Sequence, residues 1–522
     1  SFEEFSDRIS LSLMANWIPQ LLSSLSRPNS DAIYKLLIKI ATQKPQSLFY
    51  HLRSLILEIN DQYASSPSEV LNEKLRYPQL LMGELRKKHP ILIQTLEILC
   101  QNLSQNVKVS LEEDFYNTIS NLLQLTFITN EEITEEHVQE TFEAIDDKFF
   151  NRDGNDEFIE KYHEDFINDF NENIYGNLRQ IQLNLKKWKD RLSQEVKLNE
   201  LKYLDQECID LSTFYSKEIE IPGTEKVILE RFLPKIVPIR GKNSNRALTI
   251  RGSNGKDYTF MVAVNAPFSH SSYRLTQIMK NLNHCFIVHG HKISHRIQGS
   301  NFDIQEQVPI DSRHSLVEMR SGSISLNEIY NLTVDETGND PDFWIFEDND
   351  EIVPEHLFSS YIQRCLQSPD RFAVFSKQFT AQWGLFYVLA ELLEIPINQQ
   401  LLTRLWISKT SGTLELGFSD LPLISNYEGN IGVRLTPNIK YLIGEAGIKG
   451  LMPAVISNSM KLLLKQRSQI EPLLFYILRD EGEADMGKIM SIIEENIDVQ
   501  RIHQKLEMSI QEPINASSIK WF

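Results

Sequence analysis

The feature that most limits the fold of this chain is one change of pattern near Ile219. There the helical spacing of apolar residues gives way to short strand-forming segments. Four such segments follow in close succession: 219–223, 236–239, 247–250 and 258–264. Ser253-Asn254-Gly255 separates the last two, and Asn-Gly is a strong hairpin signal because both residues tolerate positive φ. A compact antiparallel sheet is therefore predicted in the middle of the chain.

Helical patterns lie on both sides of this predicted sheet. Residues 1–125 are predicted to be helical throughout. Their prolines fall at intervals that suit helical hairpins, namely at Pro28, Pro45, Pro78 and Pro90. After Pro354 helices dominate again, with one further strand pair at 405–407 and 414–416. Strands followed by a larger helical part predict an α+β fold, mainly helical, in two lobes.

The negative charge of the chain is concentrated in one segment. With 53 basic and 71 acidic residues among 522, the formal net charge is −18. Residues 131–175 alone hold sixteen acidic and three basic residues, a net charge of −13. A chain with this balance is not suited to coat a phosphate backbone, so we expect no direct nucleic acid binding. The acidic segment is predicted to be a solvated helix face or a mobile insertion, or alternatively a surface for a partner.

An amphipathic helix follows the acidic segment. Its apolar stripe consists of Leu178, Ile181, Leu185, Trp188 and Leu192. Its basic residues are Lys186, Lys187, Lys189 and Arg191. The stripe is predicted to pack on neighbouring helices, because its members share one helical face. The basic face is expected to contact the acidic segment or a partner.

Cysteine usage and hydropathy exclude several classes of protein. The four cysteines are far apart and form no Cys-x-x-Cys pair, which excludes a disulfide scaffold and a thiolate zinc site and favours a reducing compartment. The longest apolar stretch, 383–397, contains Glu391 and Glu394 and is too short to span a bilayer, so we expect no membrane partner. The chain opens without an initiator Met or a leader, and we expect it to be a piece of a longer protein.

Metal and nucleotide motifs are weak. His289, His291 and His295 form a His-x-His-x3-His pattern, but no nearby cysteine or carboxylate completes a tetrahedral site. Gly252 and Gly255 fit neither a Walker A loop nor a dinucleotide-binding motif. We therefore expect no metal and no cofactor.

An ordered set of phrases along nearly the whole chain resembles the C-terminal end of the phosphatidylinositol-3-kinase-related kinases (PIKKs). The helical phrases that resemble the FAT region and the FRB module lie at 15–28, 40–53 and 88–103, and around Trp188. The phrases that resemble the kinase region are IEIPGTE (219–225), RALTIRGSNGKDYTFMV (246–262) and GVRLTPNI (432–439). The last residues, with Trp521 and Phe522, resemble a FATC tail.

The resemblance implies a bilobal PI3K/PIKK-like kinase fold, preceded by an α-helical FAT/FRB region and followed by a FATC tail. The implied domains are the end of the FAT region at 1–87 and an FRB-like module at 88–204 that contains the acidic segment. A kinase-like domain would follow at 205–483, with its N-lobe at about 205–320 and its C-lobe at about 321–483. The FATC tail would occupy 484–522.

The positions that hold the catalytic residues in PIKKs hold other residues in this chain. The family's β3 lysine falls on Ala263, the catalytic Asp and Asn near Thr403 and Arg404, and the Asp of Asp-Phe-Gly on Gly417. No residue of 395–419 is Asp or His. Phosphoryl transfer needs a cation on the phosphates, carboxylate and amide ligands for magnesium, and a carboxylate base. The sequence therefore predicts a pseudokinase with no catalytic residues.

Among the PIKKs, a chain with these catalytic positions replaced resembles the transformation/transcription domain-associated (TRRAP) family. The resemblance implies a nuclear scaffold of histone acetyltransferase coactivator complexes of the SAGA and NuA4 type. Such a scaffold links chromatin-modifying subunits to transcriptional activators, which bind mostly upstream of this segment. The family's tail implies a structural role for Trp521 and Phe522. The alternatives are an active PIKK-type Ser/Thr kinase with displaced catalytic residues, which would use Asp420, and a purely helical docking protein.

Overall fold

The computed structural model describes most of the chain. The described residues are 10–27, 30–66, 68–107, 110–128, 135–151, 156–196, 202–224, 226–239, 246–264, 270–289, 301–319, 322–326, 328–329, 332, 355–393, 405–416, 435–478, 486–496 and 498–511. They form a mainly helical α+β fold with two antiparallel sheets. This confirms the prediction of a mainly helical α+β fold. No helix in these ranges is both long and apolar enough to cross a bilayer.

The first helices form a collar. They are α1 (Leu11–Ala15), α2 (Ile18–Ser23), α3 (Ser30–Gln43), α4 (Pro45–Ser65), α5 (Glu69–Lys88) and α6 (Pro90–Asn106). Pro45 and Pro90 occupy the first turn of their helices, where a missing N–H costs nothing. Pro78, by contrast, lies buried inside α5 and does not end it, so the prediction of a break there is wrong. The apolar face of α5 on either side of Pro78 packs into the collar core and holds the helix together.

A four-helix bundle follows the collar. Its helices are α7 (Leu111–Ile128), α8 (Glu135–Phe149), α9 (Asp156–Asp169) and α10 (Leu178–Glu195). Its core is built largely from aromatic rings, with Phe115 and Trp188 at its centre. The residues of α6 pack in the collar core instead. The packing therefore favours a boundary between collar and bundle near residue 110 rather than at 88.

A six-stranded antiparallel sheet comes next. Short helices α11 (Leu204–Glu207) and α12 (Ile209–Ser212) lie between its first two strands in the chain, and α13 (His270–His289) lies between its fourth and fifth. The strands are β1 (Lys202–Tyr203), β2 (Leu229–Pro238), β3 (Arg246–Gly252), β4 (Asp257–Val264), β5 (Gln307–Pro309) and β6 (His314–Met319), in the order β1-β2-β3-β4-β6-β5. Gly255, at φ +75, closes the predicted turn between β3 and β4. Residues 219–223 form only an isolated bridge, Glu220 to Ile228, rather than the predicted strand, because Pro222 has no N–H to continue a ladder.

A smaller sheet and a helical core complete the described fold. The sheet consists of β7 (Ser323–Ser325), β8 (Leu405–Ser408) and β9 (Leu414–Leu416). The helices are α14 (Leu357–Leu366), α15 (Pro369–Leu392), α16 (Pro437–Ala446), α17 (Met452–Lys465), α18 (Arg467–Leu478), α19 (Met486–Glu495) and α20 (Val499–Gln511). A π-helical turn, Gly447–Leu451, joins α16 to α17. The second half of α15 is buried on every side, which explains its almost continuous apolar sequence.

Candidate functional site

Ala263 lies where the resemblance places the phosphate-binding lysine. It sits near the end of β4, directly opposite Ser315 of β6. Side chains alternate along β4, so Phe260 and Val262 face the collar core while Ala263 joins Met261 and Val317 on the opposite face. Only 1% of Ala263 is exposed. A buried methyl group among apolar side chains offers no charge to a phosphate.

The other predicted catalytic positions lie beside the β8–β9 hairpin. Leu405 and Leu416 are partners across this ladder, and the turn uses Gly412 at φ +73. A Cβ at Gly412 would lie 2.8 Å from the Phe375 carbonyl oxygen of α15, so the turn needs glycine for space as well as for conformation. The predicted hairpin is thus confirmed. Thr403, Arg404, Gly417 and the alternative Asp420 lie outside the described residues, as do Trp521 and Phe522.

The described ranges hold little that could bind a metal or act as a nucleophile. They contain no group of three or more His, Cys, Asp or Glu side chains placed to hold a metal ion. His289 ends α13, while His291 and His295 are outside the described part. All four cysteines are free. Burial raises the pKa of Cys100 to about 12 and that of Cys285 to about 11, which keeps both thiols protonated and unreactive.

A cavity of about 390 Å³ lies behind the sheet, between the collar, α13 and the β5–β6 edge. Its lining includes Ser315, the ladder partner of Ala263, together with Tyr273 and Arg274 of α13. Burial, and then the charge of Glu306, raise the pKa of Tyr273 well above its ordinary value. The phenol therefore stays neutral. Collar residues form one side of this cavity, and α13 and the β5–β6 edge form the other.

Helix α4 is joined to the sheet by hydrogen bonds from several of its turns. Gln46 exchanges two hydrogen bonds with the backbone of Glu220, at 2.6 and 2.9 Å. Arg53 donates to the Ile310 carbonyl, and Ser54 donates to the Asp311 carbonyl at 3.0 Å. These contacts fix the collar against the segment at Glu220 and against the β5–β6 turn.

The β5–β6 turn is itself held by a carboxylate. Burial opposes ionisation of Asp311, but hydrogen bonds from the His314 ring and from the N–H groups of Arg313 and His314 hold its pKa below the usual range. The His314 Nδ1 lies 2.9 Å from Asp311 Oδ1. The charged carboxylate therefore keeps the turn in the shape that α4 contacts.

A buried amide pair connects the collar to α13. The Gln20 Nε2 donates to Gln277 Oε1 at 2.5 Å, and the Gln277 Nε2 donates back at 3.1 Å. Gln277 Nε2 also lies 2.7 Å from the Asn16 carbonyl oxygen, as donor. Two buried amides that satisfy each other favour one docking position, because any shift leaves polar groups unpaired.

A buried ion pair connects the bundle to the sheet. Arg246, the first residue of β3, donates from both terminal nitrogens to the Glu113 carboxylate of α7, with Nη1 to Oε1 at 3.0 Å. Both side chains are almost fully buried. This fork-to-fork geometry is the strong arrangement for Arg and a carboxylate, and it fixes direction as well as distance.

A third polar cluster connects the last described helices to α15. The Glu391 carboxylate accepts from Asn496 Nδ2 at 3.2 Å and from Lys505 Nζ at 3.1 Å. Tyr387 donates to Asn496 Oδ1 at 3.4 Å, and Asn496 is fully buried. Burial, and then the charge of Glu391, raise the pKa of Tyr387 far above its ordinary value. The neutral phenol can therefore serve as a permanent donor.

We expect Lys505→Met to lower the free energy of unfolding by about 1–3 kcal/mol, because it leaves the Glu391 carboxylate buried without its cation. Thermal unfolding and hydrogen exchange in α19 and α20 are the measurements. Lys449→Met is the matched control, since its ion pair with Glu445 is exposed. Adding Glu391→Gln to Lys505→Met should recover part of the loss. Equal destabilisation by the two lysine variants would contradict this account.

These connecting residues were not predicted from the sequence. In the sequence, Arg246 is part of the hairpin phrase 246–262, and Glu391 interrupts an apolar stretch. A charged residue in an otherwise apolar run is the one signal that pointed to Glu391, because a buried carboxylate requires a partner. Its partner, Lys505, is 114 residues away and has no local signature.

Comparison with curated proteins places the chain among larger relatives. It is 23% identical over 568 residues to the SAGA complex/NuA4 acetyltransferase complex subunit TRA1 of Saccharomyces cerevisiae. This alignment covers 92% of the present chain and 15% of the relative. It is 23% identical over 553 residues to the human transformation/transcription domain-associated protein, in an alignment that covers 89% of this chain and 14% of the relative. It is 24% identical over 591 residues to Tra1 of Schizosaccharomyces pombe, in an alignment that covers 92% of this chain and 16% of the relative. No protein-family model matches the chain.

The chain spans about 15% of the length of these relatives. The matches run along nearly all of the chain, so the likeness includes the collar, the bundle, both sheets and the helical core. They define the chain as a segment related to large transcription-associated proteins. Along nearly all of its length it is similar to proteins named Tra1 or transformation/transcription domain-associated protein.

Proposed function

We propose that this chain is a catalytically inactive, kinase-like scaffold segment of a nuclear histone acetyltransferase coactivator complex of the SAGA or NuA4 type. The relatives named as subunits of such complexes support the assembly. The buried methyl group of Ala263 carries the proposal of inactivity, because a phosphate-binding site needs a cation at that position. The proposal includes a bilobal PIKK-like fold with a FATC tail and the absence of a nucleotide, a metal and direct nucleic acid binding.

The scaffold function is supported by the way the accessory parts contact the six-stranded sheet region, α13 and the helical core. The collar is joined through Gln20 and through α4, and the bundle through Glu113. The last described helices are joined through Lys505. Each contact pairs buried or part-buried polar groups over a long sequence separation. A kinase-like core without chemistry would thus serve as the body on which the other modules are held in fixed positions, for subunits and activators to bind.

Phosphotransfer assays test the proposed inactivity. We expect no transfer from ATP with magnesium by the chain itself, and none by Gly417→Asp, because Ala263 and Thr403 would still lack the cation and the base. Losing metal ligands and base together costs many orders of magnitude in rate. Asp420→Asn is the matched control for the rival active kinase. Transfer that disappears in Asp420→Asn would establish a displaced active site and overturn the proposal.

Assembly is tested in the full-length protein that carries this segment. Histone acetyltransferase activity that copurifies with the tagged protein is the measurement. We expect Gly417→Asp and Asp420→Asn to leave the recovered activity unchanged. Deletion of residues 205–483 should abolish that recovery. Undiminished recovery after the deletion would show that the segment does not serve as the scaffold.

A further inference from the structure

A groove of about 460 Å³ lies on the bundle, between α8 and α9 and the turn that follows α9. Its walls are aromatic and aliphatic, and its rim is acidic. The lining side chains of the walls are Phe142, Phe166, Ile167, Phe170 and Tyr175. Those of the rim are Glu143, Asp146 and Asp147. All of these residues belong to the segment that holds most of the chain's negative charge.

The aromatic walls form a stack. The rings of Phe142 and Phe170 lie 4.5 Å apart with an interplanar angle of 26°, and those of Phe142 and Tyr175 lie 6.1 Å apart with an angle of 15°. Tyr175 is half-buried, and 49% of Ile167 is exposed at the groove. The groove therefore offers aliphatic surface and aromatic edges to a bound chain, while the aromatic core beneath keeps its shape.

The acidic residues that face α10 and those at the groove differ in how they are neutralised. On the α10 side, Arg191 pairs with Asp165 at 2.7 Å and Lys187 pairs with Asp169 at 2.8 Å. At the groove, Glu143 accepts from the Gln139 amide and Asp147 accepts from the Asn151 amide, both at 2.7 Å. Amide donors satisfy hydrogen bonds without cancelling charge. The rim thus keeps a negative charge that the described part of the chain does not balance with lysine or arginine.

The remaining acidic groups at the groove add to this field. Asp146 Oδ1 lies 3.0 Å from the His163 Nε2, a group that carries charge only when protonated. At the Tyr175 end, the Glu135 carboxylate lies over Gly176, where Oε1 would be 2.6 Å from a Cβ. A carboxylate therefore lies near the Tyr175 end of the aromatic stack, in addition to those of α8 that line the groove.

We propose that this groove binds a lysine- and arginine-rich segment of a partner protein. The aliphatic stems of such side chains pack on apolar walls while their charged ends reach a rim, and cations are attracted to aromatic faces. The rim carboxylates supply the complementary charge that directs association. Nucleic acid does not fit the site, because its phosphates would meet the same carboxylates. This inference does not depend on the proposed scaffold function.

Peptide binding to the full chain tests the proposal. The probe is a fluorescein-labelled peptide that repeats Lys-Leu-Arg-Ala three times, and fluorescence anisotropy at low salt gives its affinity. The matched probe has glutamate in place of every lysine and arginine. We expect the basic peptide to bind and the acidic one not to bind. Raising the salt from about 50 to 300 mM should weaken binding, because rim charges are screened.

Variants separate the groove from the general negative charge of the chain. Glu143→Lys with Asp147→Lys should weaken binding about tenfold or more. Glu73→Lys with Glu230→Lys changes the net charge equally on α5 and β2, and should weaken it less than about twofold. Ile167→Ser should weaken binding without changing charge. Equal loss in both double variants, or no loss in the groove variants with unchanged thermal unfolding, would overturn the proposal.

Discussion

Replacing Arg246 with methionine should lower the free energy of unfolding by about 3–5 kcal/mol, because the variant leaves the Glu113 carboxylate buried and unpaired. Glu113→Met should have a similar effect for the converse reason. The double variant Glu113→Met/Arg246→Met should recover most of the loss, since two apolar side chains then replace two charges. Urea unfolding of the three variants gives the coupling energy of the pair.

The same β3–β4 hairpin supplies the matched control. Arg251 and Asp257 form a forked pair at its other end, with Arg251 Nη2 to Asp257 Oδ2 at 3.0 Å, but this pair is exposed to solvent. Arg251→Met should therefore change stability far less than Arg246→Met. A similar loss in both variants would show that burial does not determine the effect. Failure of the double variant to recover would show that Arg246 acts through packing rather than through the ion pair.

Phe115→Ala should destabilise the bundle by about 3–5 kcal/mol, because it leaves a cavity at the centre of an aromatic core. The Phe115 ring lies 4.9 Å from that of Phe149 and 5.7 Å from those of Phe166 and Trp188. Trp188 fluorescence should report the loss during unfolding. Hydrogen exchange should rise throughout α7–α10 and less in the six-stranded sheet, since the bundle has its own core.

Phe475→Ala is the matched control for this cavity. Phe475 lies on α18 and is largely exposed, so removing its ring should change stability by no more than about 0.5 kcal/mol. If Phe115→Ala also changed stability by so little, the aromatic cluster would not be the element that holds the bundle together.

Local patterns predicted the elements of the fold well. The Asn254-Gly255 turn, the 405–416 hairpin and the amphipathic helix around Trp188 all appear where local spacing predicts them. The expected contact between the basic helix face and the acidic segment is confirmed by the Lys187–Asp169 and Arg191–Asp165 pairs. These features depend on residues a few positions apart or on one helical face.

Tertiary contacts overrode local signals elsewhere. Pro78 remains inside a helix because apolar packing on either side holds α5 together, although proline disfavours a helix interior. Residues 219–223 are strand-forming by composition but lack a complete ladder. For the candidate site, the sequence predicted the strand that carries Ala263, whereas the Glu113–Arg246 and Gln20–Gln277 pairs join residues 133 and 257 positions apart. No local pattern encodes such partners.

The Glu391 cluster has a consequence for how the chain folds during its synthesis. Lys505 leaves the ribosome 114 residues after Glu391, a delay on the order of ten seconds at usual translation rates. During that interval the carboxylate in the middle of α15 has neither its ammonium partner nor the Asn496 amide. The newly made helical core would therefore stay open to water around Glu391 until α19 and α20 arrive. Chaperone contact during translation should be concentrated in this window, and docking of α19 and α20 would close the helical core around Glu391.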